Sequence, residues 1–437
     1  MITKEKISSY GFVNTIKQSY YKFFFNISSK NKFQLYKEKK IKSSYITIGG
    51  AQSYGPIFIS NPNDVSLKPQ AIKPKIVINP KKLYVEVPCD LVVMKLNDYL
   101  LKKGYCLYVV PGAENASIGG CIAADVHGKN CHKHGSFGDH IISLNLFDPI
   151  SSNFKNINKN NKLFAWTIGG FGVTGIIVSA KIKIMKIPGK SLILKELKFC
   201  EPTSLINCLI EQSNFSDDIG AWFKISKKNF KSKIFYANWS DNKPIKSIKI
   251  PKILTKIIFL FFGFFIWRKF FIKTLGNYIY FKQENNLPKH INDILFPLSN
   301  LVGWNKVYGS SFVERQFVVP IIMAPDILKK IITLYRKHNV ASLFSSLKIF
   351  KGKRLGHMSF ANEGISFTLQ YESNLFFFDK EITELMTSIN SPEYIAKTQQ
   401  TSTSFPCGYR SHKSWFKIAK KNHVNSVLID WLNKKLL

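Results

Sequence analysis

PGAENASIGGCIAADVHGKN (residues 111–130) and, beyond a polar loop, LFAWTIGGFGVTGIIVSAKIKI (residues 163–184) are the most informative parts of this chain. Glycine is placed where backbone must turn tightly or let a ligand approach closely. Two such segments so near each other suggest a backbone wall around a large flat or phosphorylated ligand. The second segment contains Gly170-Phe-Gly172-Val-Thr-Gly175, formally G-x-G-x-x-G. In a doubly wound dinucleotide fold that pattern follows a strand and opens a helix. Here LFAWTI reads as a strand before it, but the β-branched, alternating IIVSAKIKIMKI predicts a second strand after it. No acidic residue sits about 20 positions on in a suitable strand. The glycines therefore fit a close backbone approach between two strands rather than a helix-capped pyrophosphate site.

Outward from this segment, 437 residues are enough for about two or three domains. Hydrophobic residues make up 45% and aromatics 14%, so a sizeable core can be buried. Against 27 Asp and Glu stand 63 Lys and Arg, a net charge of +36. The excess suits an anionic partner, either a phosphorylated substrate or acidic lipid. It is equally what a Lys-, Asn-, Ile- and Phe-rich composition produces by itself. No arginine-rich tract, zinc-finger spacing or RNA-binding motif accompanies the charge, which argues against nucleic acid. The seven cysteines are odd in number and form no C-x-x-C, as expected of free thiols in a reducing compartment. The opening MITKEKISSYGF lacks an apolar core, so a cytoplasmic location is expected, with peripheral contact on the inner membrane. The most apolar run, IIFLFFGFFIW (residues 257–267), is too short to cross a bilayer and is followed by Arg268 and Lys269. It reads either as an interfacial segment or as a buried helix.

Periodicity predicts a short helix within residues 1–45, and strand, turn and strand over 44–59. It predicts two strands in 75–87, a helix over 92–103 stopped by Gly104, and a strand over 105–110. Strands follow at 192–199, 222–226, 234–239, 316–322, 343–350 and 364–371, with helices at 201–212, 326–338, 380–389 and from 423. The pattern is an α+β chain of two lobes whose character changes near residue 190.

The motif IGG…DVHGKN…GSFGDH, with LFAWTIGGFGVTGII after it, resembles the FAD-binding domain of the vanillyl-alcohol-oxidase (PCMH-type) superfamily, and within it the decaprenylphosphoryl-β-D-ribose 2′-oxidases. The likeness runs from about Ile46 to the C-terminus, with weaker echoes in LFPLSNLVGWNKVYG, RQFVVP, SSLKIF and AKTQQT. It implies a two-lobed PCMH-type FAD-binding domain plus an antiparallel-sheet substrate domain. Residues 1–189 and 392–437 would form the first, and 190–391 the second. It implies FAD, held noncovalently because no His or Cys occurs in residues 46–58 to tether it. Ile48, Gly49, Gly50, Ala51, Gln52, Ser53, Tyr54 and Gly55 would cradle the pyrophosphate through backbone N–H groups. Gly112, Ser117, Gly119, Gly120, Cys121, Ala123, Ala124, Asp125, His127 and Gly128 would line the adenosine and flavin. Asn130, Gly172, Gly175, Ile176 and Ile177 would lie close by.

The chemistry implied is oxidation of a sugar hydroxyl to a keto-sugar by hydride transfer to flavin N5. The expected substrate is phosphorylated or lipid-linked, a polyprenyl-phosphate pentose used for cell-envelope polysaccharide. A short-chain reductase would be the partner completing epimerisation. Lys397, His127 and Tyr54 fall on catalytic positions of the resemblance, and Gln316, Lys348, Glu314, Ser366 and Thr368 on substrate-pocket positions. A lysine near the flavin would stabilise the charge of the reduced ring. Cys121, His127, Cys131, His132 and His134 match no standard ligand spacing, so no metal is expected. Gln52-Ser53-Tyr54-Gly55-Pro56 replaces the usual Arg-Ser-Tyr-Gly-Asp, Cys131 a histidine, Glu314 a glutamine, Thr368 a cysteine and Ser366 an asparagine. Those departures leave a rival expectation, a non-catalytic flavoprotein fold serving as scaffold in a membrane-associated polysaccharide assembly.

Overall fold

A computed structural model describes residues 2–7, 16–25, 44–72, 74–245, 251–264, 268–301, 303–308, 312–398, 409 and 411–436. Three sheets organise them. A four-stranded sheet pairs Ile2–Ile7 with Ile16–Phe25, and the latter runs parallel to Val65–Ala71, which runs parallel to Tyr45–Thr47. Of residues 1–45, where a short helix is expected, 2–7 and 16–25 are strands, in keeping with the aromatic run SYYKFFF, and residues 8–15 and 26–43 lie outside the described residues. In the second sheet, Ile176–Lys186 is central, antiparallel to Tyr84–Pro88, Ile141–Asp148 and Tyr105–Leu107. Its alternation is the one read from sequence.

Two local expectations fail for identifiable reasons. LFAWTI is not a strand. Lys162–Thr167 is a helix, started by the Asn161 side chain accepting from Leu163 N–H at 2.9 Å. The G-x-G-x-x-G glycines thus form a turn from helix to strand, with Gly172 (φ 84°) and Gly175 (φ 124°) in left-handed backbone. Residues 55–59 form a turn rather than the second strand of a pair. Ile57, Phe58 and Ile59 are buried, and Ile59 accepts from Val427 N–H at 2.8 Å, so the backbone closes on the C-terminal helix Val427–Leu436.

The third sheet has seven strands, all paired antiparallel, ending in the order Asp218–Ile225, Ser346–Phe350, Gly364–Glu372, Phe312–Val319. Alternation sorts its two faces. Val313, Phe317, Val319, Leu347, Ile349, Ile365, Phe367 and Leu369 form one apolar core with the helices Ala324–Lys337 and Phe376–Ser388. The intervening Glu314, Gln316, Lys348, Ser366, Thr368 and Gln370 share the other face, and register sets Gln316 beside Thr368, Glu314 beside Gln370, and Lys348 beside Ser366.

Arg315 is the charged exception on the apolar face. Its guanidinium donates to Glu393 (3.0 and 2.6 Å), Asp379 (2.9 Å) and Thr383 (2.7 Å), all buried. This network anchors the turn that follows, where Tyr394 N–H donates to Gln316 O at 2.8 Å. Replacing Arg315 by leucine would strand two buried carboxylates, so urea unfolding should show a loss of about 3–5 kcal/mol.

Candidate active site

A cavity of about 1090 Å³ lies between the glycine loops and the polar face of the seven-stranded sheet. That exceeds the usual span for one drug-sized ligand, roughly 300–1,000 Å³, and leaves room for a dinucleotide with a substrate. One wall is the first loop, Ile48 through Tyr54. Gly112, Ser117, Gly119, Gly120, Ala123, Ala124 and His127 continue it, followed by Gly172, Gly175 and Ile177. The Ser117–Ala123 part is not an open turn. Ile118–Ala123 is a short helix whose cap, Ser117 Oγ, accepts from both Gly120 N–H and Gly50 N–H at 3.2 Å, tying the two glycine segments together. A Cβ on Gly50 would sit 2.4 Å from Asn115 O, so that crossing requires glycine.

The cavity fits a dinucleotide on its own geometry. A Cβ at Gly112 would meet nothing within 4 Å, and at Gly172 nothing nearer than Thr47 Oγ1 at 4.0 Å, so both backbones face open space. Thr47 Oγ1 and Asp90 Oδ1, on lining residues, are buried without a hydrogen-bond partner. Buried polar atoms left so are rare and here point at a missing ligand. Of the His and Cys residues that line the cavity, Cys89 has its thiol pKa pushed far up by burial, and His127 has both ring nitrogens engaged.

Eight expected residues do not line the cavity. Gly55 serves a different contact. Its N–H and that of Tyr54 donate to Ala396 O (3.0 and 2.9 Å), and a Cβ there would lie 2.1 Å from Thr398 O. Gly55 therefore lets the Ile395–Lys397 turn approach the first loop. Cys121 and Ile176 are core residues. Asp125 accepts from Gly138 N–H (2.8 Å) and Ser136 Oγ (2.9 Å) behind the wall, its carboxyl raised to about 6 by burial. Asn130 donates to Tyr108 O at 2.6 Å, and Gly128 is packed against Asn130. Gln316 and Ser366 stand behind His127. Gln316 Nε2 lies 2.6 Å from Ser366 Oγ and 3.1 Å from His127 Nε2.

The remaining functional candidates converge. Lys397 Nζ pairs with Glu314 Oε1 at 2.6 Å and sits 5.4 Å from the centre of the Tyr54 ring. Glu314 Oε2 accepts from Gln370 Nε2 at 2.6 Å, and Gln370 Oε1 accepts from Tyr308 OH and Phe344 N–H. Lys348 Nζ makes a long 3.4 Å contact with His127 Nδ1. Burial, then Lys397 and Lys129, pull the Lys348 amine down to about 7. Burial, then Lys348 and Lys397, hold His127 well below the usual imidazole range, so it is neutral. Gln316 and Lys348 thus engage the two ring nitrogens of His127, Nε2 and Nδ1. Lys129, Lys348 and Lys397 line the cavity near Glu314, within a lining of six lysines and five acids.

Gln370, Tyr394 and Thr47 also line the cavity and were not anticipated. Gln370 was within reach, two residues from Thr368 on the same strand and therefore on the same face. Tyr394 lay in no motif. It packs its ring on Phe360 and His127 and donates to Ala124 O at 3.0 Å.

Replacing Lys397 by methionine should slow flavin reduction roughly a hundred- to thousandfold in stopped-flow measurements, while bound flavin is retained. Glu314 would then be buried without its cation. Adding Glu314→Gln should restore the melting temperature but not the rate.

Comparison with known proteins agrees with this geometry. Residues 34–151 match the family described as FAD binding domain. The chain is 25% identical over 379 residues to decaprenylphosphoryl-β-D-ribose oxidase of Mycolicibacterium smegmatis, covering 80% of each chain. It is 25% identical over 151 residues to D-arabinono-1,4-lactone oxidase of Saccharomyces cerevisiae, covering 34% of this chain and 28% of that one. The chain is an α+β FAD-dependent oxidoreductase, related to the sugar and lactone oxidases of the vanillyl-alcohol-oxidase type.

Proposed function

We propose that this protein oxidises a hydroxyl of a phosphate-linked pentose carried on a polyprenol to the keto-sugar. The observation that carries the reading is the placement of a half-buried, weakly basic Lys348 and the Lys397–Glu314 pair on the same cavity as the glycine loops. Bound FAD supplies the hydride acceptor. The protein's part is to take the hydroxyl proton, fix the sugar and hold positive charge nearby. Lys348, neutral above about 7, is the base, since a general base works best with its pKa near the working pH. His127 Nδ1, accepting an N–H of that amine, orients it and leaves its lone pair for the hydroxyl proton. Lys397 holds positive charge beside Tyr54, and Lys129 on the same wall suits a phosphate. Phe259, Leu275 and Ile279 give the same cavity an apolar side suited to a prenyl chain. The likeness to the mycobacterial enzyme supports a prenylphosphoryl ribose over a free sugar. A keto product of this kind calls for a reductase partner that returns the centre to an alcohol of inverted configuration, in cell-envelope polysaccharide synthesis.

The test is anaerobic bleaching of the protein's flavin by three donors: farnesylphosphoryl ribose, ribose 5-phosphate and arabinono-1,4-lactone. Fast bleaching by the first alone is expected. Bleaching by the lactone alone would replace the reading with a free-sugar oxidase, and bleaching by none would overturn it in favour of the scaffold role.

A further inference from the structure

Two consecutive helices, Lys252–Phe264 and Arg268–Phe281, are inserted between the strands Phe230–Ser240 and Pro288–Lys289 of the seven-stranded sheet. The first is sharply two-sided. Thr255, Phe259 and Gly263 face the protein, and Phe259 joins Ile272, Trp304 and Phe312 in a buried cluster that Tyr54 also packs against. The opposite side is apolar yet open to solvent: Ile253 is 71% exposed, Ile257 57% and Leu260 42%. At helical spacing these three residues form one stripe. Phe262 and Phe271 stack at 3.8 Å and hold the two helices together. The second helix adds exposed Tyr278 and Phe281, with Lys269 and Lys273 also exposed. From Asp241 to Glu284 the sequence contains no other acid and nine Lys or Arg.

We infer that this helical pair is a docking surface for an anionic lipid bilayer, which it meets edge-on at the mouth of the active-site cavity. The inference rests on the lipid-linked substrate reading and adds how that substrate arrives. An exposed apolar stripe of this kind is uncommon on a soluble protein and marks an interaction site. Its chemistry selects the partner. A stripe of Ile and Leu with aromatic residues beside it and lysines along its flanks is the composition that lies in a membrane interface, with the cations reaching acidic headgroups. Spanning is excluded by length. The first helix has 13 residues, about 20 Å at ~1.5 Å each, against a hydrocarbon core of ~30 Å. No helix among the described residues is long and apolar enough to cross a membrane. The same pair forms part of the cavity wall through Phe259, Leu275, Tyr278 and Ile279. A prenyl chain leaving the bilayer beside the pair would meet Phe259, Leu275 and Ile279 on that wall.

The test is co-sedimentation of flavin-loaded protein with phosphatidylcholine vesicles, with and without phosphatidylglycerol. Binding is expected only with phosphatidylglycerol and should weaken with salt. Ile253→Ser/Ile257→Ser/Leu260→Ser should reduce it roughly a hundredfold. Lys269→Gln and Lys273→Gln should each cost roughly fivefold. Unchanged flavin absorbance and melting temperature show that the variants are folded. Hydrogen exchange on the unmutated protein provides a reading independent of any variant, with vesicles expected to protect residues 252–281. Equal binding by the triple variant, binding indifferent to phosphatidylglycerol, or protection confined to other segments would overturn the docking surface. Protein that bleaches with farnesylphosphoryl ribose but ignores vesicles refutes the docking alone. Protein that binds vesicles through the stripe but bleaches with no donor refutes the substrate reading alone.

Discussion

Lys348→Met should reduce the rate of anaerobic flavin reduction by roughly two to four orders of magnitude and remove the acid limb of its pH profile. Lys348 lies on the cavity with Thr368 and Gln370, half-buried and beside Lys397 and Lys129. Taking an ammonium out of water disfavours its charged form, and two neighbouring cations disfavour it further. The sign follows directly. Below about 7 the side chain is protonated and has no lone pair to accept the hydroxyl proton. In the unmutated protein kcat/KM should therefore rise with pH through about 7 and level off above it. The methionine variant keeps the volume but has no proton acceptor, so its residual rate should be flat across that range. Arginine, always charged, should be as slow as methionine. A variant that retains the rising limb would move the base to another residue. His127 is the poorest alternative, because burial and both lysines already push its pKa well down.

Gly112→Val should yield a folded protein without flavin. At most glycines of this site an added side chain would damage the fold itself: a Cβ on Gly50 collides with Asn115 O, and Gly172 occupies a left-handed backbone. Gly112 differs. Its Cβ would meet nothing within 4 Å, and the residue lines the cavity. The valine methyls then project into the space assigned to FAD and nowhere else. Unfolding should be nearly unchanged in the flavin-free state. The visible absorbance of bound flavin should be lost, and the stabilisation that ligand binding confers on the folded state should go with it. A yellow Gly112→Val protein would place the dinucleotide elsewhere in the cavity.

The sequence disclosed the cofactor more readily than the site that acts with it. Glycine carries its meaning locally, so the first loop and residues 111–130 could be read in order, and most of them line the cavity. The strand after Gly175 was equally legible, because Ile176–Lys186 alternates at period 2. LFAWTI misled because apolar periodicity over six residues does not separate a short helix from a strand, and a single cap, Asn161, settled it. The substrate-side residues owe their positions to register. Glu314, Lys348 and Gln370 become neighbours only when three strands distant in sequence pair. Lys397 reaches Glu314 only because Arg315, on the far side of the same strand, holds Glu393 and with it the turn. Gly55 shows the limit of motif reading. It stands in a cofactor loop, yet its lack of a side chain serves the approach of the Lys397 turn.

FAD is expected to be held noncovalently in the cavity between the glycine loops and the seven-stranded sheet. Acid precipitation of the purified protein tests this most directly. The prediction is a colourless pellet with stoichiometric FAD, identified by mass, in the supernatant. A protein that carries no flavin and takes up none when FAD is added, or a pellet that stays yellow, would contradict it.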